Sequence, residues 1–485
     1  MIVNSLAFLW FFLIVLVIYY ICQQKKELQN LFLLISSYWF YSQVDIKMTL
    51  LLVILTLFFW LLGKGVAYYL DQEDERKAAI VTNVGVILGI GALFYFKYLN
   101  FFAESVTSFA SLFGIHLSWT ALNLVVPIGL SFFTFKLMSY VLDIYHGKIM
   151  PEKNIINFAN FIAFFPTILS GPIDRPKPFL KQVNHVRLFN PDNFLIGFRR
   201  VLWGMFLKMC IADRLDIYIS AILDNYTHHS AISIIIASLL YPLQMYADFA
   251  GYSDMAIGVA LILGFKVAEN FKRPFFSTNI SEYWRRWHMS LTSWLTDYVF
   301  LPLNIKFRRY GVKGTIMAII INMLFVGLWH GANWTFFVFG LYHGLLFIPL
   351  LLNGLFYKKN KEKTCYKISS VLKVVKNIAC TYFLVTIGQL IFRAPSISDV
   401  CSIFTHLFDS WEGGLFYDMP TMINAFICFT VLLYVDVKEE WFPQKQIHLP
   451  TWVERWRWEL TVSLEIICIL LFGVFDNNQF IYFQF

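Results

Sequence analysis

A chain of 485 residues with 58% hydrophobic residues, only 14% charged residues and a mean hydropathy of +0.61 lacks the polar surface to stay in water; a soluble domain carries about 25% charged residues. The net charge of +8 does not point to nucleic acid, because the basic residues gather in short loops between apolar runs and form no basic face of a soluble module. The seven cysteines (22, 210, 365, 380, 401, 428 and 468) show neither a CxxC pair nor a Cys/His metal spacing, so they read as small apolar packing residues and no metal site is expected.

A bilayer-spanning helix needs roughly 20 apolar residues. Candidate runs fall at 5–21, 30–44, 47–63, 80–98, 100–115, 124–144 and 154–171. Later ones fall at 231–264, 315–333, 334–354, 368–392, 420–436 and 460–475. The first has no basic n-region and no A-x-A cleavage site, so it reads as a retained helix and not a signal peptide. Several runs are short or broken by Gly and Pro, a pattern that suits re-entrant helices walled by protein or a cavity. The fold expected is an all-α polytopic membrane protein with about ten to twelve spans plus several half-helices.

Two stretches do not read as simple spans. Residues 190–225 mix apolar residues with Arg199, Arg200, Lys208, Asp213 and Arg214, which suggests an amphipathic helix at the membrane surface. Residues 266–312 carry Lys272, Arg273, Arg285, Arg286, Lys306, Arg308 and Arg309 among Phe and Trp, the composition of a cytoplasmic interface, with plain positive-inside anchoring as the alternative. The lysine-rich run at 357–367 is expected in the cytoplasm. Counting spans from there places 395–418 outside, 437–459 inside and the tail FIYFQF (480–485) outside.

Three of the ten histidines sit where chemistry is plausible: His288 in YWRRWHMSL, His330 in VGLWHGANW and His343 in GLYHGLL. An ionisable group at membrane depth is costly and is a functional candidate by default. His330 is followed by Gly331 and flanked by Trp329 and Trp334; His343 follows 13 residues later. Neither pair has the i, i+4 spacing of a helical zinc site. A buried neutral histidine bonded across helices remains the alternative for each. As a base, one imidazole contributes typically 10²–10⁴-fold. Asp248 and Asp254, in an apolar run, are expected to pair with Arg or to bond backbone near Gly251.

Six segments, LVVPIGLSFFTFKLMSYVLDIYHG (124–147), FFPTILSGPIDRP (164–176), YPLQMYADFAGYSDMAIG (241–258), NFKRPFFSTNISEYWRRWHMSLTSWLTDYVFLPL (270–303), GLWHGANWTFFVFGLYHG (327–344) and FIYFQF, occur in this order. Together they resemble the membrane-bound O-acyltransferase family, in its bacterial polysaccharide-acetylating branch. The resemblance runs from about residue 124 to the end, with only hydropathy to offer before it. It implies one integral membrane domain over 1–485: N-terminal spans 1–123, the family core 124–355, and C-terminal spans with an outward tail 356–485. It also implies a helical bundle with a central tunnel and re-entrant or interfacial helices.

Residue by residue, the family's near-invariant histidine maps to His330 and its second histidine to His288, with His343 a further histidine of this branch. Trp329, Asn333 and His343 fall in the expected substrate-binding set, with Lys272, Arg285 and Arg286 placed to hold donor phosphates. Phe480, Tyr482 and Phe485 match an F-x-Y-x-x-F tail in which the tyrosine is proposed to carry the acyl group; the alternative for Tyr482 is an interfacial anchor. No bound cofactor is expected. The implied donor is acetyl-CoA or another acyl thioester, and the implied partner is a secreted or periplasmic SGNH-like acetyltransferase. The expected location is a bacterial inner membrane and the expected product an O-acetylated polysaccharide. D-alanyl transfer to teichoic acid, and a transporter without covalent chemistry, stand as rivals.

Overall fold

The computed structural model describes residues 5–356, 368–416, 418–442 and 457–475. Among these, every regular element is a helix, and eight helices are long and apolar enough to cross a membrane. The chain is therefore a multi-pass membrane protein. The eight are Leu6–Gln24, Ile46–Asp71, Glu75–Ser111, Ala231–Ile262, Arg308–His330, Trp334–Leu352, Val371–Arg393 and Met419–Trp441. Lys26–Ser42 and Arg457–Phe472, of 17 and 16 residues, are shorter, and some of the candidate runs fold differently from the hydropathy reading.

The differences have local causes. The runs 80–98 and 100–115 form one continuous helix, because a π-turn over Phe94–Tyr98 absorbs the extra residue and the chain never breaks. The run 154–171 yields only Ile155–Ala163; Pro166 and the Ser170-Gly171-Pro172 sequence stop it, and its residues are buried in protein. The run 124–144 becomes helical only at Leu130, after Pro127 and Gly129.

Two compact units are present, residues 1–201 with 256–268, and 202–255 with 269–485. The first contains α1 (Leu6–Ile21), α2 (Lys26–Ser42), α3 (Ile46–Asp71), α4 (Glu75–Leu93), α5 (Leu99–Ser111), α6 (Leu130–Tyr145), α7 (Ile155–Ala163) and α8 (Pro176–Val183). Here α3, α4 and α6 pack on one another and α7 packs on α2. Asn30 ties this core together. Its amide donates to Asn157 Oδ1 at 2.9 Å and to the Val183 carbonyl at 3.0 Å, and its Oδ1 receives the Arg187 guanidinium.

α9 (Pro191–Met205), a π-segment (Phe206–Ala212) and α10 (Asp213–Leu223) run without interruption, and α11 spans Ala231–Ile262. The second unit continues through α12 (Ile280–Trp284), α13 (Met289–Leu295), α14 (Leu301–Lys306), α15 (Gly311–His330) and α16 (Trp334–Leu352). α17 (Ile368–Arg393), α18 (Ile397–Asp409), α19 (Met419–Trp441) and α20 (Arg457–Phe472) complete it. Within it the α15–α16 hairpin packs closely, because facing glycines let the backbones close: a Cβ at Gly327 would lie 3.1 Å from Gly340 Cα.

Along the stretch 190–225, read as an amphipathic surface helix, Asp192 and Arg199 are exposed, but not every charge faces outward. Lys208 and Asp213 turn inward, and the whole π-segment is buried. Lys208 Nζ lies 2.8 Å from Asp213 Oδ1 and 2.6 Å from Asp248 Oδ1. The structural partner expected for Asp248 is thus a lysine 40 positions upstream and not an arginine. Burial pushes the Asp213 carboxyl up to about 7 despite that lysine.

Candidate active site

The three singled-out histidines occupy one chain of ring contacts in the second unit. His330 ends α15 and is 5% exposed. Its ring is boxed edge-on by Trp329 at 4.9 Å, Phe392 at 5.1 Å and Phe339 at 6.3 Å between centroids. The next turn is fixed by Asn333, which caps α16 by accepting from Thr335 N at 3.0 Å while its Nδ2 donates to the Pro395 carbonyl at 2.8 Å. The ends of α15 and α17 and the start of α16 therefore meet around His330. Asn333, placed among substrate-binding residues by resemblance, uses both ends of its amide to hold that junction.

His343 lies nine residues into α16, roughly 13 Å along the axis at about 1.5 Å per residue. Phe339 stands against both imidazoles, 4.7 Å from His343. The Trp284 indole N–H donates to His343 Nδ1 at 3.3 Å. An indole nitrogen only donates, so Nδ1 accepts and the neutral ring carries its proton on Nε2. That nitrogen points at Gly388 of α17, where a Cβ would come within 2.5 Å.

His288 is fully buried, its ring 4.6 Å from Phe249 and 5.5 Å from Trp329. One indole thus separates His288 from His330. Burial drives its pKa down to about 3, so the ring is neutral at ordinary pH. Its backbone is left-handed, φ +42° and ψ +54°, a conformation that costs a non-glycine residue of order 1–3 kcal/mol and persists only where the surroundings impose it. Arg273, on the facing loop, is left-handed too, at φ +46°.

The three cations proposed for donor phosphates are not equivalent. The Arg286 guanidinium meets Glu440 through two parallel contacts of 2.9 Å and Glu282 Oε1 at 2.7 Å. The same Glu440 accepts from Arg273 Nε at 2.9 Å. Burial alone would raise the Glu282 carboxyl, but Thr278 and Arg286 together hold it below the usual range. Arg286 is thereby committed to the fold of this segment. Arg285 is exposed, reaching Ser281 Oγ at 2.8 Å, and Lys272 is exposed as well. Tyr482 lies outside the described residues. Sequence reasoning missed Trp284, Phe339, Phe392 and Glu440; only Trp284, inside the YWRRWHMSL segment, carried a local signal.

Comparison with known proteins places the chain in a family. The model of the membrane-bound O-acyltransferase family matches residues 33–392, which begins well before residue 124 and ends at Phe392. The chain is 35% identical to the "Probable alginate O-acetylase AlgI" of Azotobacter vinelandii over 80% of this chain and 74% of that protein. It is 32% identical to the peptidoglycan O-acetyltransferase of Helicobacter pylori over 65% of this chain and 63% of that protein. It is 31% identical to the teichoic acid D-alanyltransferase of Bacillus subtilis over 56% of this chain and 69% of that protein. A helical membrane chain with a boxed histidine at a helix junction, matched by that model over most of its length, belongs to the membrane-bound O-acyltransferase family and is an acyltransferase.

Proposed function

We propose that this protein works in a bacterial inner membrane and passes an acetyl group from a cytoplasmic thioester, acetyl-CoA or an acylated carrier, toward an extracytoplasmic polysaccharide. The observation that carries the reading is the place of His330. It sits where α15 and α16 turn, beside the end of α17, and thus at the opposite end of α16 from the lysine-rich run 357–367. With that run in the cytoplasm, as positive-inside charge bias favours, His330 faces the side from which the acceptor arrives.

Lys272 and Arg285 are the cations available to donor phosphates, since Arg286 is already neutralised by Glu282 and Glu440. The Tyr482 hydroxyl attacks the thioester carbonyl carbon, forming a C–O bond as the C–S bond breaks. His330 takes the phenolic proton and delivers it to the leaving thiolate. An extracytoplasmic SGNH-like transferase then moves the acetyl group from the tyrosine ester to a sugar hydroxyl.

The test uses full-length protein in proteoliposomes loaded with radiolabelled acetyl-CoA, with label on Tyr482 read by peptide mass spectrometry. His330→Ala is expected to lower labelling at least about 10²-fold, the scale of lost general-base catalysis, and Tyr482→Phe to abolish it. Full labelling in His330→Ala protein would refute the base assignment. In a second arm, protein purified directly from its own cells is mapped for the acyl group it already carries, and D-alanine on Tyr482 in place of acetate would select the teichoic acid alternative.

A further inference from the structure

The turn that carries His288 is gripped by a single buried side chain. Asn270 is 1% exposed, and each of its acceptor and donor groups outside its own N–H is engaged. Its backbone carbonyl accepts from Met289 N at 2.8 Å. Its Oδ1 accepts from Ser290 Oγ at 2.6 Å, and its Nδ2 donates to Ser253 Oγ at 3.0 Å. Ser253 lies on α11 and Ser290 on α13, both buried. Two residues on, Lys272 N donates to the Arg286 carbonyl at 3.0 Å, so segments 270–272 and 286–289 are pinned together at two points.

His288 sits inside that grip in its left-handed conformation. A right-handed or extended backbone there would swing the Cβ vector away and take the imidazole out of the gap between Phe249 and Trp329. We propose that Asn270 is the positioning residue for His288, holding the 286–289 turn in the one backbone conformation that aims the imidazole at Trp329 and, through it, at His330. The value of this aim rests on the proposed acyl transfer and on His288 serving in it, as its match to the family's second histidine implies. Asn270 does not meet the reacting atoms; it acts through His288. The residue type matters because its amide offers a donor to Ser253 and an acceptor to Ser290 at once. Aspartate keeps the acceptor and loses the donor; alanine loses both.

The experiment modifies full-length protein with diethyl pyrocarbonate and maps carbethoxylated histidines by mass spectrometry, alongside acetyl-transfer kinetics. In wild-type protein His288 and His343, both buried, stay unmodified. Asn270→Ala is expected to raise modification of His288 at least tenfold while His343 remains protected, and to lower kcat at least tenfold with the donor KM within twofold. Asn270→Asp is expected to fall between. A folded Asn270→Ala protein whose His288 stays protected overturns the proposal. If His343 also becomes reactive the variant has unfolded broadly; Ser290→Ala, which removes one contact, then decides by the same signature, exposure of His288 alone supporting the proposal and unchanged protection overturning it. Exposed His288 with undiminished turnover would uphold the positioning and refute a role for His288 in transfer.

Discussion

At the scale of single residues, burial and neighbours divide three similar histidines into three different groups. His288, neutral because burial depresses its pKa to about 3 against 6.5 in an unfolded chain, gives a signed prediction. Between those two values the unfolded chain binds a proton that the folded one refuses, so stability falls as pH drops below 6.5, by up to about 1.4 kcal/mol per pH unit. Thermal unfolding of purified protein at pH 7 and pH 5 is expected to show this loss, and His288→Asn, which has no proton to bind, to flatten the slope. An equal slope in the variant would mean that other groups set the acid limit. The three histidines were legible in the sequence because an ionisable group is conspicuous among apolar neighbours. The Trp284 bond to His343 and the Asn270 grip on His288 were not, since each joins positions 17 or more apart that only the packed chain brings together.

At the scale of elements, the buried Lys208 is shared by two carboxylates, one on α10 and one on α11. Lys208→Ala strands both acids, and breaking a buried ion pair from one side costs about 3–5 kcal/mol. Asp248→Asn, which leaves the Lys208–Asp213 pair intact, is expected to cost clearly less, with thermal unfolding of the two variants giving the order. The α15–α16 hairpin supplies a second case. A Cβ at position 340 would come 3.0 Å from Leu324 Cα, so Gly340→Val is expected to force the hairpin apart and reduce folded yield, measured by size-exclusion chromatography in detergent. Element ends were legible where a cap or breaker announces them, as Asn333 does for α16. The π-turn at 94–98 was hidden, because a residue accommodated without breaking the helix leaves no Gly or Pro to mark it.

At the scale of the whole molecule, hydropathy alone identified a membrane protein, and the ordered motifs identified its family, but hydropathy misread the run 154–171, because a buried loop such as 164–173 is as apolar as a helix facing lipid. The charge-based topology remains to be measured. In a cysteine-free background, Ser398→Cys, on an exposed position of α18, is expected to react with an impermeant maleimide in intact cells, and Lys272→Cys only after permeabilisation. The reverse pattern would invert the proposed direction of transfer.

One carboxylate at the tip of α19, Glu440, contacts the guanidinium groups of Arg273 and Arg286 together. Without it Arg273 keeps Glu439 at 2.8 Å and Arg286 keeps Glu282 at 2.7 Å, so neither cation is set free, but the shared carboxylate that ties both to α19 is lost. Glu440→Gln should therefore lower kcat while leaving the donor KM nearly unchanged, because the turn those arginines steady drifts although each still has a carboxylate to neutralise it.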